Sequence, residues 1–512
     1  MNPMTMIDRT VDASNQTAYQ RLETEFARIE DIGQALGVLG WDRAVMMPKG
    51  AAQDRGDQVA TLTGIAHAML TAHQIGDWLE AAEADAESLN LKQQANLREM
   101  RRSYRHATAV PQTLVEALSR ATTKSEMVWR EARAKADFAM MRPELEAVLA
   151  LTIEQAKAKA EALDCDPYSA LLDTYDPGMT PAVIDELFAD LTDFLPGFLG
   201  EVTEHQAQQQ APDMPQGHYP VPAQRDLGLS LMKAAGFDFD RGRLDISTHP
   251  FCGGGGPSDI RITTRYDEAD FTSALMGVMH ETGHALYEAG LPEDWRRQPV
   301  GKARGMTMHE SQSLLIEMQA CRSAGFMEFL APKLNEVFGD AAQGWNAQAL
   351  HYHYTRVEPG FIRVDADEVT YPAHVILRYR LERAMIAGDL AITDLPGAWN
   401  DGLQELLGIT PPDDGVGCLQ DIHWPDGAFG YFPTYTLGAL TAAQLFAAIR
   451  EARPGIEDEL AQGDFTGLLG WLRHHVHGRG SETDTMSIIT DATGSPLSTS
   501  AFKQHLKTRY LA

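Results

Sequence analysis

The stretch Phe271–Gly290 reads FTSALMGVMHETGHALYEAG and joins a helical apolar pattern to three polar side chains. Apolar residues recur at steps of three and four, which predicts an α-helix, and the following Leu-Pro supplies its end. His280 and His284 are four residues apart, so they project from one face of that helix, close enough to bind one metal ion. Glu281 lies beside that face, where a carboxylate can take a proton from a metal-bound water. The stretch therefore predicts a helix that carries a metal site, with zinc as the first choice.

A catalytic zinc normally has three protein ligands and one water, so a third ligand must come from elsewhere in the chain. The metzincin pattern, in which another histidine follows on the same stretch, is not present. Glu288 lies about two helical turns beyond His280, which is too far for direct ligation. A second helical pattern follows the loop 301–305 and contains Glu310 and Glu317. Spacing alone makes these two carboxylates equal candidates.

Most of the remaining chain also has helical periodicity. An amphipathic stripe runs from Tyr19 to Leu39, and further helical patterns cover about 55–105 and 113–162. The Gln- and Pro-rich segment 206–222 is the best candidate for a linker, with an ordinary surface loop as the alternative. The segment 258–266 alternates apolar and polar residues after a four-glycine loop, which predicts a short strand. Such a strand beside the metal helix could hydrogen-bond an extended substrate along its edge. The predicted fold class is all-α, with a short β segment beside the site.

Charge and composition restrict the partners. The chain has 72 acidic and 43 basic residues, for a formal net charge of −29, and this field repels nucleic acids and anionic membranes. No apolar run reaches the roughly 20 residues that span a bilayer, and the segment 1–16 lacks the apolar core of a signal peptide. The four cysteines are scattered without a C-x-x-C pair, which argues against a disulfide framework. We therefore expect neither a nucleic acid nor a membrane as a partner, and we expect the protein in the cytoplasm.

Five further motifs accompany the H-E-x-x-H run in a fixed order. They are His249-Pro250-Phe251, Asp259-Ile260-Arg261-Ile262-Thr263, His309-Glu310-Ser311-Gln312, Ile362-Arg363-Val364-Asp365-Ala366-Asp367 and Gly417-Cys418-Leu419-Gln420-Asp421-Ile422-His423-Trp424. With these motifs the chain resembles the carboxypeptidase Taq family, zinc metallocarboxypeptidases of the gluzincin kind. The resemblance covers nearly the whole chain.

The resemblance implies several properties that spacing left open. It makes Glu310 the third metal ligand beside His280 and His284. It implies a nearly all-helical fold in which helices surround a deep substrate groove. It implies a single metallocarboxypeptidase domain over residues 1–512, and it allows two lobes that flank the groove. It also implies a homodimer that acts on peptides with a free C-terminus.

The expected reaction is the removal of single amino acids from the C-terminus of peptides, with broad specificity. A zinc-bound water attacks the scissile carbonyl, and Glu281 acts as the general base that later passes the proton to the leaving amine. A donor near the metal commonly stabilises the tetrahedral intermediate. Tyr435 is the first choice, because its tyrosine-rich loop resembles the segment with the transition-state tyrosine of other gluzincins. Tyr431 and His423 are the alternatives.

An exopeptidase that acts at the C-terminus must also bind a free carboxylate, and the planar fork of arginine suits this task. Arg363 is the first candidate and Arg261 the second. For each, the alternative is an internal ion pair with an acid of its own motif. His249 and Asp259 are expected to shape the substrate groove.

Two other functions are compatible with the same residues. An oligopeptidase or peptidyl-dipeptidase would use the same zinc chemistry but release longer products. A helical binding protein that has lost catalysis would keep zinc for structure, although such a site would not require Glu281. Cobalt or manganese could also occupy a site of two histidines and one glutamate.

Overall fold

The computed structural model describes residues 16–212, 215 and 217–511, and the described chain is mostly helical with one small sheet. The first nine helices are α1 (Ala18–Val45), α2 (Ala52–Leu70), α3 (His73–Ala84), α4 (Leu91–Ala109), α5 (Gln112–Lys135), α6 (Phe138–Leu163), α7 (Pro167–Tyr175), α8 (Pro181–Ala207) and α9 (Val221–Ala234). The strands β1 (Gly242–Ile246), β2 (Phe251–Gly254) and β3 (Ile260–Thr264) follow.

The remaining helices are α10 (Thr272–Gly290), α11 (Gly305–Leu314), α12 (Ala324–Phe338), α13 (Ala347–Tyr354), α14 (Tyr371–Ala387), α15 (Leu395–Leu407), α16 (Pro433–Ala452), α17 (Ile456–Ala461), α18 (Thr466–His475), α19 (Thr485–Thr493) and α20 (Ser500–Leu511). A π-helical turn, Leu315–Ala320, continues α11. Each helix of the described chain is too short or too polar to cross a bilayer. The segment 1–16 is predicted to lack the apolar core of a signal peptide. Residues 1–15 of that segment lie outside the described residues.

The two long helical stretches of the N-terminal third are divided more often than their periodicity indicates. Residues 55–105 fall in α2, α3 and α4, and residues 113–162 fall in α5 and α6. The break between α5 and α6 lies at Ala136, whose φ of 52° reverses the chain before Asp137 caps α6 by accepting from the Met140 amide. Alanine rarely adopts this left-handed conformation, so the cap residue Asp137 is the only sequence signal at this break.

The helices near the metal motif pack unusually closely. Gly283 of α10 faces α11, and a Cβ on it would lie 2.5 Å from the Gln312 carbonyl oxygen. Where α11 meets α16, a Cβ on Gly438 would lie 2.8 Å from the Glu310 Cβ. Only glycine permits such an approach. Both neighbours of α11 therefore carry a glycine at the point of contact, which brings Glu310 close to the histidines of α10.

The sheet has the order β1-β3-β2, with β1 parallel and β2 antiparallel to β3. The predicted strand at 258–266 is present as β3, but β3 is central and both its edges are paired. The expectation that a substrate pairs along the edge of this strand is therefore wrong, because β1 and β2 occupy both edges of β3. The prediction that all four glycines 253–256 form a loop is also wrong, since Gly253 and Gly254 end β2. Gly254 has a φ of 133°, and its carbonyl oxygen would lie 2.2 Å from a Cβ on Gly37 of α1.

Candidate metal centre

His280, His284 and Glu310 meet where α10 packs against α11. One ligand atom from each lies within 4.8 Å of the others. The His280 Nε2 is 3.9 Å from Glu310 Oε1, and the His284 Nε2 is 3.7 Å from Glu310 Oε2. The structure therefore brings together the three residues that the sequence analysis names as metal ligands.

The non-ligating nitrogen of His280 has an acidic partner. Its Nδ1 donates to Glu317 Oε2 at 2.9 Å, and Arg322 in turn donates to Glu317 Oε1 at 2.5 Å. This arrangement leaves Nε2 directed at Glu310. Burial lowers the pKa of His280, but the hydrogen bond to Glu317 and the charge of Glu310 outweigh burial and raise that pKa to about 10.

His284 is oriented by a second relay. Its Nδ1 lies 2.7 Å from Nδ1 of His309 and 3.1 Å from the His309 carbonyl oxygen. The Nε2 of His309 donates to Glu288 Oε1 at 2.9 Å. With Nε2 protonated, His309 accepts from the Nδ1–H of His284, which keeps the Nε2 of His284 free for a metal. Burial, followed by the charges of His309 and His280, holds the pKa of His284 well below its ordinary value.

The donor set fits a divalent cation. Both imidazoles have Nδ1 engaged and Nε2 directed at one carboxylate, which is the arrangement in which histidine binds metals. Glu288 and Glu317, weighed as ligands on sequence grounds, occupy the outer positions of the two relays instead. The side chains of the three residues are only 9% to 22% exposed, and a shared cation would satisfy both free nitrogens and the carboxylate together.

A cavity of about 560 Å³ opens at this cluster. Glu281 lines the cavity beside the three candidate ligands and with Phe251 and Cys252 of β2. Burial is the main cause that raises the pKa of Glu281 to about 7, opposed by the charge of His280 and reinforced by that of Glu310. The cavity thus contains a carboxylate whose pKa suits general-base chemistry near neutral pH.

Arg363 lines the same cavity and is 6% exposed. It donates from Nε and Nη2 to Asp421 Oδ1, at 3.1 Å and 2.8 Å, and from Nη1 to the Tyr371 hydroxyl at 2.9 Å. Arg378 donates to the other oxygen of Asp421 at 2.7 Å. Two guanidinium groups therefore share one carboxylate. Burial raises the pKa of Asp421, but the charges of Arg378 and Arg363 outweigh burial and hold that pKa well below its ordinary value.

The predicted transition-state tyrosine also faces the cavity. The Tyr435 hydroxyl lies 3.1 Å from Nε2 of His423, and the Arg363 guanidinium lies 4.9 Å from the Tyr435 ring. Tyr431 lines the cavity as well, with its ring 5.3 Å from that of Tyr435. Burial lowers the pKa of His423 to about 4, so this imidazole is neutral near pH 7. His423 contacts Tyr435 from outside the cavity lining.

Besides His423, three further candidate residues from the motifs lie apart from the cavity lining. Arg261 forms a bidentate pair with Asp259, at 2.8 Å for both contacts, and its guanidinium lies 4.3 Å from the Trp41 ring. The side chain of His249 is exposed at the turn between β1 and β2, while its carbonyl oxygen accepts from Ser247. Phe251 and Cys252 of β2, rather than these residues, face the metal cluster.

Sequence analysis missed four polar residues of the cavity: Gln319, Arg322, Glu368 and Tyr371. Tyr371 follows the motif of Arg363 closely, and an aromatic hydroxyl so near a motif arginine is a usable signal. Arg322 is five residues after Glu317, a spacing that would separate the two around a regular α-helix, but Glu317 lies in the π-helical turn. No periodicity in the sequence indicates that turn.

The comparisons with known proteins point to one family. Residues 21–510 match the family described as Carboxypeptidase Taq (M32) metallopeptidase. Thermostable carboxypeptidase 1 of Thermus thermophilus is 39% identical over 513 residues, which cover 97% of this chain and 99% of the relative. Metallocarboxypeptidase 1 of Trypanosoma cruzi has a solved structure with a TM-score of 0.95 at 41% identity, covering 97% of this chain and 99% of that one. The M32 carboxypeptidase of Deinococcus radiodurans R1 gives a TM-score of 0.92 at 35% identity, with the same two coverages.

These similarities confirm the fold class and the class of enzyme predicted from the sequence, and they leave the catalytically inactive alternative without support. The protein is a metallocarboxypeptidase with a metal cofactor, and peptides fit as its substrates. On the match over residues 21–510 and the identity of its relatives, the chain belongs to the carboxypeptidase Taq (M32) family of metallopeptidases.

Proposed function

We propose that the protein is a zinc-dependent carboxypeptidase that releases single amino acids from the C-terminus of peptides, with broad specificity. One observation carries the proposal: the cluster of His280, His284 and Glu310 shares a cavity with Glu281 and with Arg363, which has only a shared acid partner. Bound zinc would supply Lewis-acid chemistry, lowering the pKa of a water and polarising a carbonyl oxygen. Cobalt or manganese would suit the same donor set, so metal analysis of the purified protein decides the native ion.

Glu281 acts as the general base in this proposal. Its carboxylate takes a proton from the attacking water and later delivers that proton to the leaving amine. Its burial supports the role, because a carboxyl whose pKa is raised to about 7 can both accept and return a proton near neutral pH. A nearby cation favours the charged carboxylate, which is the form that accepts the proton.

Tyr435 stabilises the negative charge that develops on the carbonyl oxygen. For this role the Nε2–H of His423 donates to the Tyr435 oxygen, which leaves the phenol proton directed at the cavity. Burial keeps the pKa of Tyr435 well above its ordinary value, so the hydroxyl remains a donor. Tyr431 faces the same space and is the alternative donor.

Arg363 binds the free carboxylate of the substrate. Arg322 also lines the cavity, but Glu317 balances its charge. Arg363 instead shares the carboxylate of Asp421 with Arg378. The buried cluster of these three side chains therefore has an excess of one positive charge beside the cavity. A substrate carboxylate would balance that excess.

Arg261, Asp259 and His249 contribute at the rim in this proposal, where they shape the approach of longer peptides rather than contact the reacting bond. The bidentate pair between Arg261 and Asp259, fixed against Trp41, supports a rigid rim. Removal of the pair would therefore alter which peptide lengths are accepted.

We further propose a homodimer, a single domain over 1–512 and a cytoplasmic location. One core cluster extends from α5 to α20, which supports a single domain, and a smaller cluster of α1, α3 and α4 agrees with a second lobe. All four cysteines are free thiols, which suits a reducing compartment. Light scattering after gel filtration tests the dimer.

The test is mass spectrometry of an N-terminally blocked peptide incubated with the protein, with and without a chelator. A ladder that shortens by one residue and stops with chelator supports the proposal. Glu281→Gln should keep its metal and lose activity by about 10²-fold or more, while Glu293→Gln, an exposed change, keeps activity. Release of dipeptides or internal fragments would instead favour the peptidyl-dipeptidase or oligopeptidase.

A further inference from the structure

A second cleft, of about 680 Å³, lies between α4 and the segment that joins α6, α7 and α8. It shares no lining residue with the metal cavity. Six side chains of α4 line it, and their spacing places them on one helix face. Four of the six are arginines: Arg98, Arg101, Arg102 and Arg105. In a chain with a net charge of −29, this arginine cleft is a local reversal of charge.

Two of the four arginines have structural partners. Arg101 forms a bidentate pair with Glu83 of α3, with contacts of 2.7 Å and 2.6 Å. Arg102 donates from Nε to Asp173 of α7 at 2.8 Å. These pairs connect α4 to its neighbours, and they account for both acids in the lining of the cleft.

The other two arginines lack an acid partner within the described chain. Arg98 donates from Nη2 to the Glu482 carbonyl oxygen at 2.9 Å, which fixes the guanidinium without neutralising it. Arg105 is exposed and has no hydrogen bond or ion pair there. Seven residues separate the two, a rise of about 10 Å along the helix. The cleft therefore presents two unmatched positive charges on one side.

A further basic side chain lies behind the cleft, while Asp164, Asp166 and Asp173 act on Cys165 in its lining. Lys159 of α6 is buried and donates to Thr174 at 3.0 Å. Burial, and after it the charge of Arg102, lowers the pKa of Lys159 to about 8. A ligand that brings negative charge into the cleft would offset this repulsion.

The floor of the cleft is apolar. Leu97, Leu163 and Met179 line it, and Leu97 and Met179 are each 4% exposed. A ligand that fills the cleft therefore meets an apolar surface below and guanidinium groups at the side. An inorganic anion such as phosphate would contact only the guanidinium groups and not the apolar surface.

We propose that the arginine cleft binds a small organic anion, with a carboxylate or phosphate group held by Arg98 and Arg105 and an apolar body on the floor. Guanidinium forks pair with either oxyanion, so the two sources share one chemistry. The volume of the cleft matches that of sites for small organic ligands. The site is independent of the metal centre.

Calorimetric titration of the full protein with octanoate and with octyl phosphate tests the proposal and separates the two anions. At least one should bind, and inorganic phosphate should bind at least about tenfold more weakly. The double variant Arg98→Gln/Arg105→Gln should weaken binding by about tenfold or more. Arg120→Gln removes the same kind of charge from an exposed site of α5 and should leave binding unchanged.

Cys165 provides a local readout, because it lines the cleft and is the one exposed cysteine. Bound octyl phosphate or octanoate should slow its alkylation by iodoacetamide, and should do so less in the double variant. The proposal is overturned if neither amphiphile binds, if inorganic phosphate binds as tightly, or if the double variant binds like the wild type. Far-UV circular dichroism verifies that the variants are folded.

Discussion

Glu317 accepts a hydrogen bond from Nδ1 of His280 at 2.9 Å, so a carboxylate seven residues beyond Glu310 orients a histidine instead of joining the ligand set. Arg322 balances the charge of Glu317 from the other side. The two glutamates of α11 and its π-helical turn therefore occupy different positions at one site.

Glu317→Gln should weaken metal binding by about tenfold to a hundredfold, because an amide orients the imidazole less strongly than a carboxylate. Competition with a chromogenic chelator measures the affinity directly, without reference to catalysis. Glu328→Gln, an exposed change on α12, serves as the control. Equal affinities for the two variants would contradict the orienting role.

Arg363→Gln should raise KM for peptides with a free C-terminus by about tenfold or more, with a smaller effect on kcat. Asp421 keeps Arg378 as its partner, so the change leaves no buried acid unpaired. Steady-state kinetics on blocked dipeptides provides the measurement. Arg261→Gln should leave KM for these short substrates unchanged, and a reversed order of effects would exchange the two assignments.

Tyr435→Phe should lower kcat by about 10²-fold while metal content and KM remain near those of the wild type. The loss follows from removal of a donor that acts on charge developed in the transition state. Tyr431→Phe provides the comparison, since its ring faces the same cavity. A larger loss in Tyr431→Phe would transfer the role to that residue.

Gly283→Ala should destabilise the protein by about 1–3 kcal/mol and weaken metal binding. The added Cβ would lie 2.5 Å from the Gln312 carbonyl oxygen and 2.6 Å from the Ser313 Cα, which forces α11 and its Glu310 away from α10. Gly277→Ala is the matched control on the same helix, because nothing lies within 4 Å of its added Cβ. Thermal unfolding and chelator competition should separate the two variants clearly.

Asp176 gives stability a specific dependence on pH. Burial raises its pKa from 3.8 to about 7, partly opposed by Thr307 and Arg304. Between about pH 4 and 7 the folded protein keeps the Asp176 proton, while the unfolded chain has released it. The stabilisation that is fully present below pH 4 is therefore lost as the pH rises through 7.

Asp176→Asn should remove that loss, so its stability relative to the wild type should improve by up to about 1.4 kcal/mol per pH unit between pH 4 and 7. Denaturant midpoints at several pH values measure the difference, with the exposed change Asp77→Asn as the control. Parallel curves for Asp176→Asn and the wild type would show that Asp176 does not titrate in this range.

The sequence predicts some of these features for clear physical reasons. The spacing of His280 and His284 on a helix fixes their common face, and an apolar period of three to four residues gives the helical class. The third ligand depends on how α11 packs against α10, which spacing cannot provide, so Glu310 and Glu317 were equivalent until a family resemblance separated them.

Other features depend on contacts between distant segments. The acid partner of Arg363 is Asp421, 58 positions away, and not an acid of its own motif. The sheet order places β3 in the centre because β1 and β2 pair with it from both sides, and a single alternating segment does not reveal its neighbours. The turn at Ala136 has no favourable residue type, so tertiary packing imposes it.

The π-helical turn Leu315–Ala320 has a consequence for how this site can change. Such turns accommodate one residue more than an α-helix of the same course. Deleting one residue between Glu317 and Ala320 would restore regular winding without displacing the chain beyond. Glu317 and Arg322 would then be four positions apart, the spacing at which an α-helix places side chains on one face. The counter-charge behind His280 therefore tolerates a single-codon deletion, and the three candidate ligands lie outside the deleted turn.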